Sequence, residues 1–146
     1  MSSINDGLKL TGKLLIALNG KVIQEIDNLV TTAGKGYVAN RMRSDVSGGV
    51  ALMSHMAVGT GTTDPVVGNT ALETESARVA LTSSNVSAAV VTYIATFPAG
   101  TGTAALTEAG VLNASSGGTL LCRTEFSVVN KGSSDAMTIT WTVTVS

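Results

Sequence analysis

Hydrophobic and polar residues alternate most cleanly near the C-terminus, where Met137, Ile139, Trp141, Val143 and Val145 interleave with Thr138, Thr140, Thr142 and Thr144. A period of two places every second side chain on the same side of an extended backbone, so this run predicts a β-strand with one buried face and one threonine face. Upstream, Leu120, Cys122, Thr124, Phe126 and Val128 alternate with Thr119, Leu121, Arg123, Glu125 and Ser127. VNKGSSDA joins the two runs, and its turn-forming residues predict antiparallel neighbours. Residues 86–97, VSAAVVTYIATF, are rich in β-branched and aromatic side chains and predict a third strand, with Val91, Tyr93, Ala95 and Phe97 on one face.

In the N-terminal part, LKLTGKLLIAL and KVIQEIDNLV flank Asn19-Gly20. That dipeptide suits a two-residue hairpin turn, in which both central residues take positive φ. Residues 31–44, TTAGKGYVANRMRS, carry the one helical pattern, with Tyr37, Val38 and Met42 about a turn apart, although Gly34 and Gly36 weaken its start. DVSGGVALMSHMAV reads as a glycine-bearing loop leading into a short strand, MSHMAV. TALETESARVAL, residues 70–81, is compatible with a strand or an irregular crossing.

Many short strands punctuated by Gly, Ser, Thr and Asn, with one short helix, predict an all-β fold: an antiparallel β-sandwich or a jelly-roll-like barrel. A chain of 146 residues is read as a single β domain, residues 1–146, with residues 1–10 as an extended N-terminal arm.

Composition narrows the function classes. Charged residues make up 13% of the chain and the formal net charge is −1, so no strong field is present to gather nucleic acid or an anionic membrane. Two Phe, two Tyr and one Trp supply no row of platforms for base stacking. Nucleic acid and membrane are therefore not expected as partners. Cys122, the single cysteine, cannot close an intrachain disulfide, and no Cys or His cluster has metal-ligand spacing. Neither a metal nor another cofactor is expected. The N-terminus lacks a basic start and a long apolar stretch, which fits synthesis in a reducing cytoplasm.

The segment FPAGTGTAALTEAG tests whether the chain holds a phosphate. Gly100, Gly102 and Ala105 fit the spacing G-x-G-x-x-G/A, and Glu125 follows 20 residues after Ala105, as in a dinucleotide fingerprint. Such a loop works only when a helix follows and points its free amides at the anion. After Ala105 there is room for ALTEA alone before Gly110, and NASSGG follows at once. The segment is therefore read as a turn. The similar loop at Gly59 and Gly61 lacks the lysine of a triphosphate-binding loop, and these glycines are also read as turn residues that supply positive φ.

The remaining candidates favour structure over chemistry. His55, the only histidine, adjoins Ser54, and neighbours in a strand point to opposite faces, so a nucleophile and its base are not expected to meet there. Cys122 is expected on the buried face with Phe126 and Val128, as an inert small hydrophobe. Glu73, Glu75, Glu108 and Glu125 are scattered and expected to be solvated. Lys35, Arg41 and Arg43 form a basic helix face that is read as solvated, with contact to an acidic partner as the functional alternative. Trp141 is expected to anchor the core, where truncation to Ala costs about 3–5 kcal/mol.

The ordered blocks AVGTGTTDP, TALETESARVAL and YIATFPAGTGTAALTEAGVLNASSGGTLLCRTEFSVVNKGSSDAMTITWTV, with DNLVTTAGKGYVANRM upstream, resemble small tailed-bacteriophage virion structural proteins over residues 27–146. The resemblance implies a non-enzymatic, β-rich, oligomeric building block of the virion. A capsid decoration (cement) protein is expected, bound to the major capsid protein and to itself as a homotrimer. The arm, residues 1–10, or the segment from Ala33 to Ser54 is expected to touch the capsid. The alternative is a tail or tail-fibre protein that binds a host receptor through loops near Thr101 and Asn113. The resemblance fixes no ligand-binding residue.

Overall fold

The computed structural model describes residues 6–45 and 47–146. Its first element is the predicted hairpin, β1 (Leu10–Leu18) and β2 (Lys21–Val30). Asn19 and Gly20 both have positive φ, 51° and 83°, as the tight turn requires. The Asn19 side chain also donates to Asp135 Oδ1 (2.9 Å) and accepts from the Ala136 amide (3.0 Å), which fastens this turn to the chain just before the last strand.

The helix α1 (Thr32–Arg41) follows directly. Thr31 caps it: its Oγ1 accepts from the Gly34 amide (2.9 Å) and donates to the Leu120 carbonyl (2.7 Å). A Cβ at Gly34 would collide with the Leu121 carbonyl, so this glycine lets the helix lie directly on the strand beneath it. Gly34 thus costs helix propensity and gains close packing.

Seven further strands complete the fold: β3 (His55–Gly59), β4 (Glu75–Ala80), β5 (Ser83–Ser87), β6 (Val90–Phe97), β7 (Ala104–Leu112), β8 (Leu120–Lys131) and β9 (Met137–Val145). They lie in the order β4-β3-β7-β8-β2-β1-β9-β6-β5, with every neighbouring pair antiparallel. The protein is all-β with one short helix, and its sheet curls into a half-barrel. Between β2 and β8 only Leu29↔Arg123 and Val30↔Cys122 pair, so the sheet divides there into two halves that enclose the core.

Several local expectations change. β8 and β9 are not neighbours: β9 lies between β1 and β6, and β8 between β2 and β7. The unbroken alternation of β9 matches partners of equal regularity, setting Trp141 beside Leu14 and Tyr93, and Ile139 beside Ile16 and Ala95. β8 breaks its own alternation. Leu106 pairs with Val129 and Glu108 with Glu125, so a single β7 residue faces three residues of β8. This bulge shifts the phase, burying Val129 and leaving Val128 half exposed rather than on the buried face with Cys122 and Phe126.

Residues 86–97 form a hairpin instead of one strand, turning at Ala88, which has φ 51°. The face carrying Tyr93, Ala95 and Phe97 is buried as expected. Within 70–81, both readings apply: an irregular crossing over residues 70–74, then β4. Lys9 and Ser146 exchange backbone hydrogen bonds, and Leu10 pairs with Val145, so the end of the expected arm belongs to the sheet. Residues 1–5 of that arm lie outside the described residues.

The main core gathers Leu14, Ile16, Met56, Tyr93, Phe97, Phe126, Ile139 and Trp141 from both halves of the sheet. Trp141 is fully buried, as expected of an anchor. A smaller cluster, Ala57, Leu72, Leu112 and Leu120, lies apart from it; Leu72 belongs to the crossing before β4 and the other three to β3, β7 and β8.

Candidate functional site

The crossing, residues 60–74, is held from below by two charges. Glu108 on β7 and Arg123 on β8 are almost wholly closed to solvent. Glu108 Oε2 accepts from the amides of Gly61 (2.7 Å) and Thr74 (2.7 Å), and Oε1 accepts from the Glu73 amide (2.8 Å). Arg123 Nε and Nη2 each lie 3.1 Å from Oε1. Glu108 was expected to be solvated and is instead the anchor of the loop. With a donor on every side its carboxylate is an acceptor already in use, and it has no open position from which to take a substrate proton.

The first glycine loop therefore does cradle an anion, and the anion is the chain's own Glu108. Gly59 and Gly61 do not have positive φ. They are required by space, since a Cβ at Gly59 would collide with the Thr74 carbonyl and one at Gly61 with Glu108 Oε2. At the second loop the expectation holds: Gly100 and Gly102 have φ of 83° and 70°, and the chain continues into β7 with no helix to present amides. Gly102 packs beside Val58 and Ala77, which brings this loop against β3 and β4.

Arg123 also reaches outward, donating from Nη1 to Asn69 Oδ1 (3.2 Å) and from Nη2 to the Thr63 carbonyl (3.0 Å). Asn69 closes a turn on Val66 by bonding its amide and carbonyl, and the Val67 carbonyl accepts from the Thr32 amide at the start of α1 (2.8 Å). The turn is thus fixed on two sides, yet Val66 and Val67 are both half exposed on it. Beside it opens a pocket of about 340 Å³, lined by Thr63, Asn69, Thr70, Glu73 and Arg123 among others. The Thr63 hydroxyl, followed by the Thr62 amide, holds the Glu73 carboxyl below the usual carboxylate range.

Ser54 and His55 do meet: Ser54 Oγ lies 2.7 Å from His55 Nδ1. Ser54 precedes the first residue of β3, so the alternation that would have separated them does not govern it. Among the described residues no carboxylate is hydrogen-bonded to His55, and no group of three or more His, Cys, Asp and Glu has the arrangement to hold a metal. Cys122 is fully buried and desolvation pushes its thiol pKa far up, as expected of an inert hydrophobe.

The other charged candidates serve the scaffold. Arg41 donates to the Val50 carbonyl, and Arg43 to the carbonyls of Ser47 and Gly48, so these arginines organise the loop after α1. Glu75 pairs with Arg78, which also binds the carbonyls of Ala114 and Gly117. Glu125 is half-buried on β8. The Asn113 side chain is committed to Ala51 and Thr119.

An apolar groove of about 430 Å³ runs between the C-terminal half of α1 and the sheet, lined by Val38, Met42, Leu52, Val86, Val91 and Val145 among others. At its margins Met42 is 76% exposed, Val86 72% and Leu52 61%, and Leu8, 70% exposed, lines an adjoining recess with Val38 and Met42. Among the described residues no helix is long and apolar enough to cross a membrane. No family model matches the chain, and no curated protein or solved structure matches it.

Proposed function

We propose that the chain is a structural component of a bacteriophage virion, a capsid decoration protein that binds where subunits of the major capsid protein meet. The apolar groove beside α1 carries this reading. Large side chains left in water on a well-packed β scaffold mark a surface that completes itself against another protein. Part of its lining, Tyr37, Val38, Arg41, Met42, Leu52 and Met53, falls within the segment from Ala33 to Ser54, one of the two segments expected to touch the shell. A protein that binds the assembled lattice and not free subunits stabilises the shell by mass action. A homotrimer on local threefold positions meets three equivalent shell contacts at once.

Gold-labelled antibody on intact particles tests the placement. Label over the heads supports decoration. Label absent from particles, with protein present in the lysate, overturns a virion role. The polar pocket beside Arg123 favours a second reading, a tail or tail-fibre protein that recognises a host receptor. Label confined to the tail would support that alternative.

A further inference from the structure

The curled sheet ends in two edge strands, β4 and β5. β4 carries Glu75 and Arg78, whose ion pair sets charge on that edge. β5 reads SSNVS and carries none, and no charged residue occurs from Val79 to Thr107. Edge strands ordinarily hold a lysine, a proline, a bulge or a cover that keeps other strands away. β5 pairs with β6 in unbroken register from Ser83 to Ser87, and its residues from Ser84 to Ser87 are all exposed.

Hydrogen bonds on either side of β6 fix which backbone groups of β5 are open. The Ala89 carbonyl accepts from the Val145 amide (2.9 Å), and the Ile94 carbonyl from the Thr82 amide (2.7 Å). Backbone groups alternate sides along a strand, so Val90, Thr92 and Ile94 turn toward β5, where they meet Ser87, Asn85 and Ser83. Ser84 and Val86 therefore point amide and carbonyl outward, and among the described residues these groups have no backbone partner.

We infer that β5 pairs with β5 of a second copy, antiparallel across a twofold axis at Asn85. The register selects this occupant. Ser84 of each copy exchanges both backbone hydrogen bonds with Val86 of the other, which satisfies the outward groups of both residues. The two Asn85 residues then form the non-hydrogen-bonded pair on the axis, with Cα atoms about 4.5 Å apart. A carboxamide carries a donor and an acceptor and so complements its own image across the axis, where a carboxylate or an ammonium would repel it. Such a contact requires one patch to fit itself, and the uncharged run from Val79 to Thr107 brings no repulsion to it. It uses the backbone of Val86 in the plane of the sheet, whereas the groove beside α1 uses the Val86 side chain. Shell binding and pairing are thus compatible, and the pairing does not depend on the virion reading.

Sedimentation velocity on the full chain tests it. The parent is expected as an even-numbered oligomer: a dimer, or a hexamer where the proposed trimer also forms. Asn85→Asp and Asn85→Lys each set like charges on the axis and should weaken association about tenfold or more. Mixed together they place opposite charges there, and pairs should return. Val86→Pro removes an outward N–H that has no backbone partner within the copy, so it should dissociate the pair and leave thermal unfolding unchanged. Were that variant to melt early, the Asn85 variants decide, because Asn85 is exposed. A monomeric or purely trimeric parent, single Asn85 variants that associate like the parent, or a mixture without pairs would overturn the inference. A monomeric parent whose Val86→Pro variant no longer binds shells would overturn it too, and give the edge to a strand of the capsid protein.

Discussion

Glu108 Oε1 lies 3.1 Å from both Nε and Nη2 of Arg123, on the adjoining strand, with both side chains shut away from water. Together they hold residues 60–74. Removing one partner leaves the other buried and uncompensated. Glu108→Gln or Arg123→Ala is therefore expected to cost about 3–5 kcal/mol, whereas replacing both with apolar residues of similar volume should cost much less. Urea unfolding of the single and double variants, followed by Trp141 fluorescence, checks this. Additive losses would show that the two residues act independently.

Space, not backbone freedom, selects glycine at position 61. Gly61→Ala pushes a methyl group at Glu108 Oε2 and should destabilise by about 1–3 kcal/mol. Gly68→Ala is the control, because nothing lies within 4 Å of its missing Cβ and its φ is not positive. That variant should match the parent or gain slightly, by about 0.4–1 kcal/mol. Equal losses at the two positions would refute the collision.

Burial raises the Cys122 thiol far above its ordinary pKa, so the folded state keeps its proton when the unfolded chain gives it up. Stability from this source is complete below about pH 8.5, the ordinary thiol value, and falls as pH rises beyond it. Denaturant midpoints from pH 7 to 10 should decline more steeply in the parent than in Cys122→Ala. In the native state the thiol should resist aromatic disulfide reagents until the chain unfolds.

The Asn19 latch carries a charge-dependent test. The Asn19 amide, then the Gly132 backbone N–H, hold the Asp135 carboxyl below its ordinary value. Asn19→Asp replaces that donor with a second carboxylate. The variant should melt below the parent at pH 7, and the gap should narrow as pH falls and the pair takes up a proton. A gap that stays constant between pH 7 and pH 3 would count against repulsion as the cause.

Periodicity made the strands legible where one face alone is buried, as in β9, and the Asn19-Gly20 turn carried its own signature. Pairing was less legible, because turn residues between β8 and β9 show that the chain reverses without showing which strand it joins. Glu108 was hidden for a related reason. Alternation marks a face as covered or open on the assumption that glutamate seeks water, and that fails when a distant loop brings three amides and the adjoining strand an arginine. The signal available was its setting, ALTEAGVL, a strand with apolar residues on both faces. The Ser54–His55 contact was missed because the strand begins at His55, two residues later than the expected start at Met53. The groove beside α1 combines side chains from β1, α1, the loop before β3, β5, β6, β8 and β9, and no local pattern announces such a surface.

β9 is the last strand in the chain and an interior strand of the sheet, with the first strand on one side and the sixth on the other. During synthesis the opening hairpin must therefore wait for nearly the whole chain to leave the ribosome. Until then β1 and β6 each present an open edge, the kind that pairs with a neighbouring chain. Contacts this distant in sequence also make the final closure slow. Nascent chains stalled before Met137 should remain open to protease, with protection arriving when β9 emerges, so order comes to this molecule late and nearly all at once.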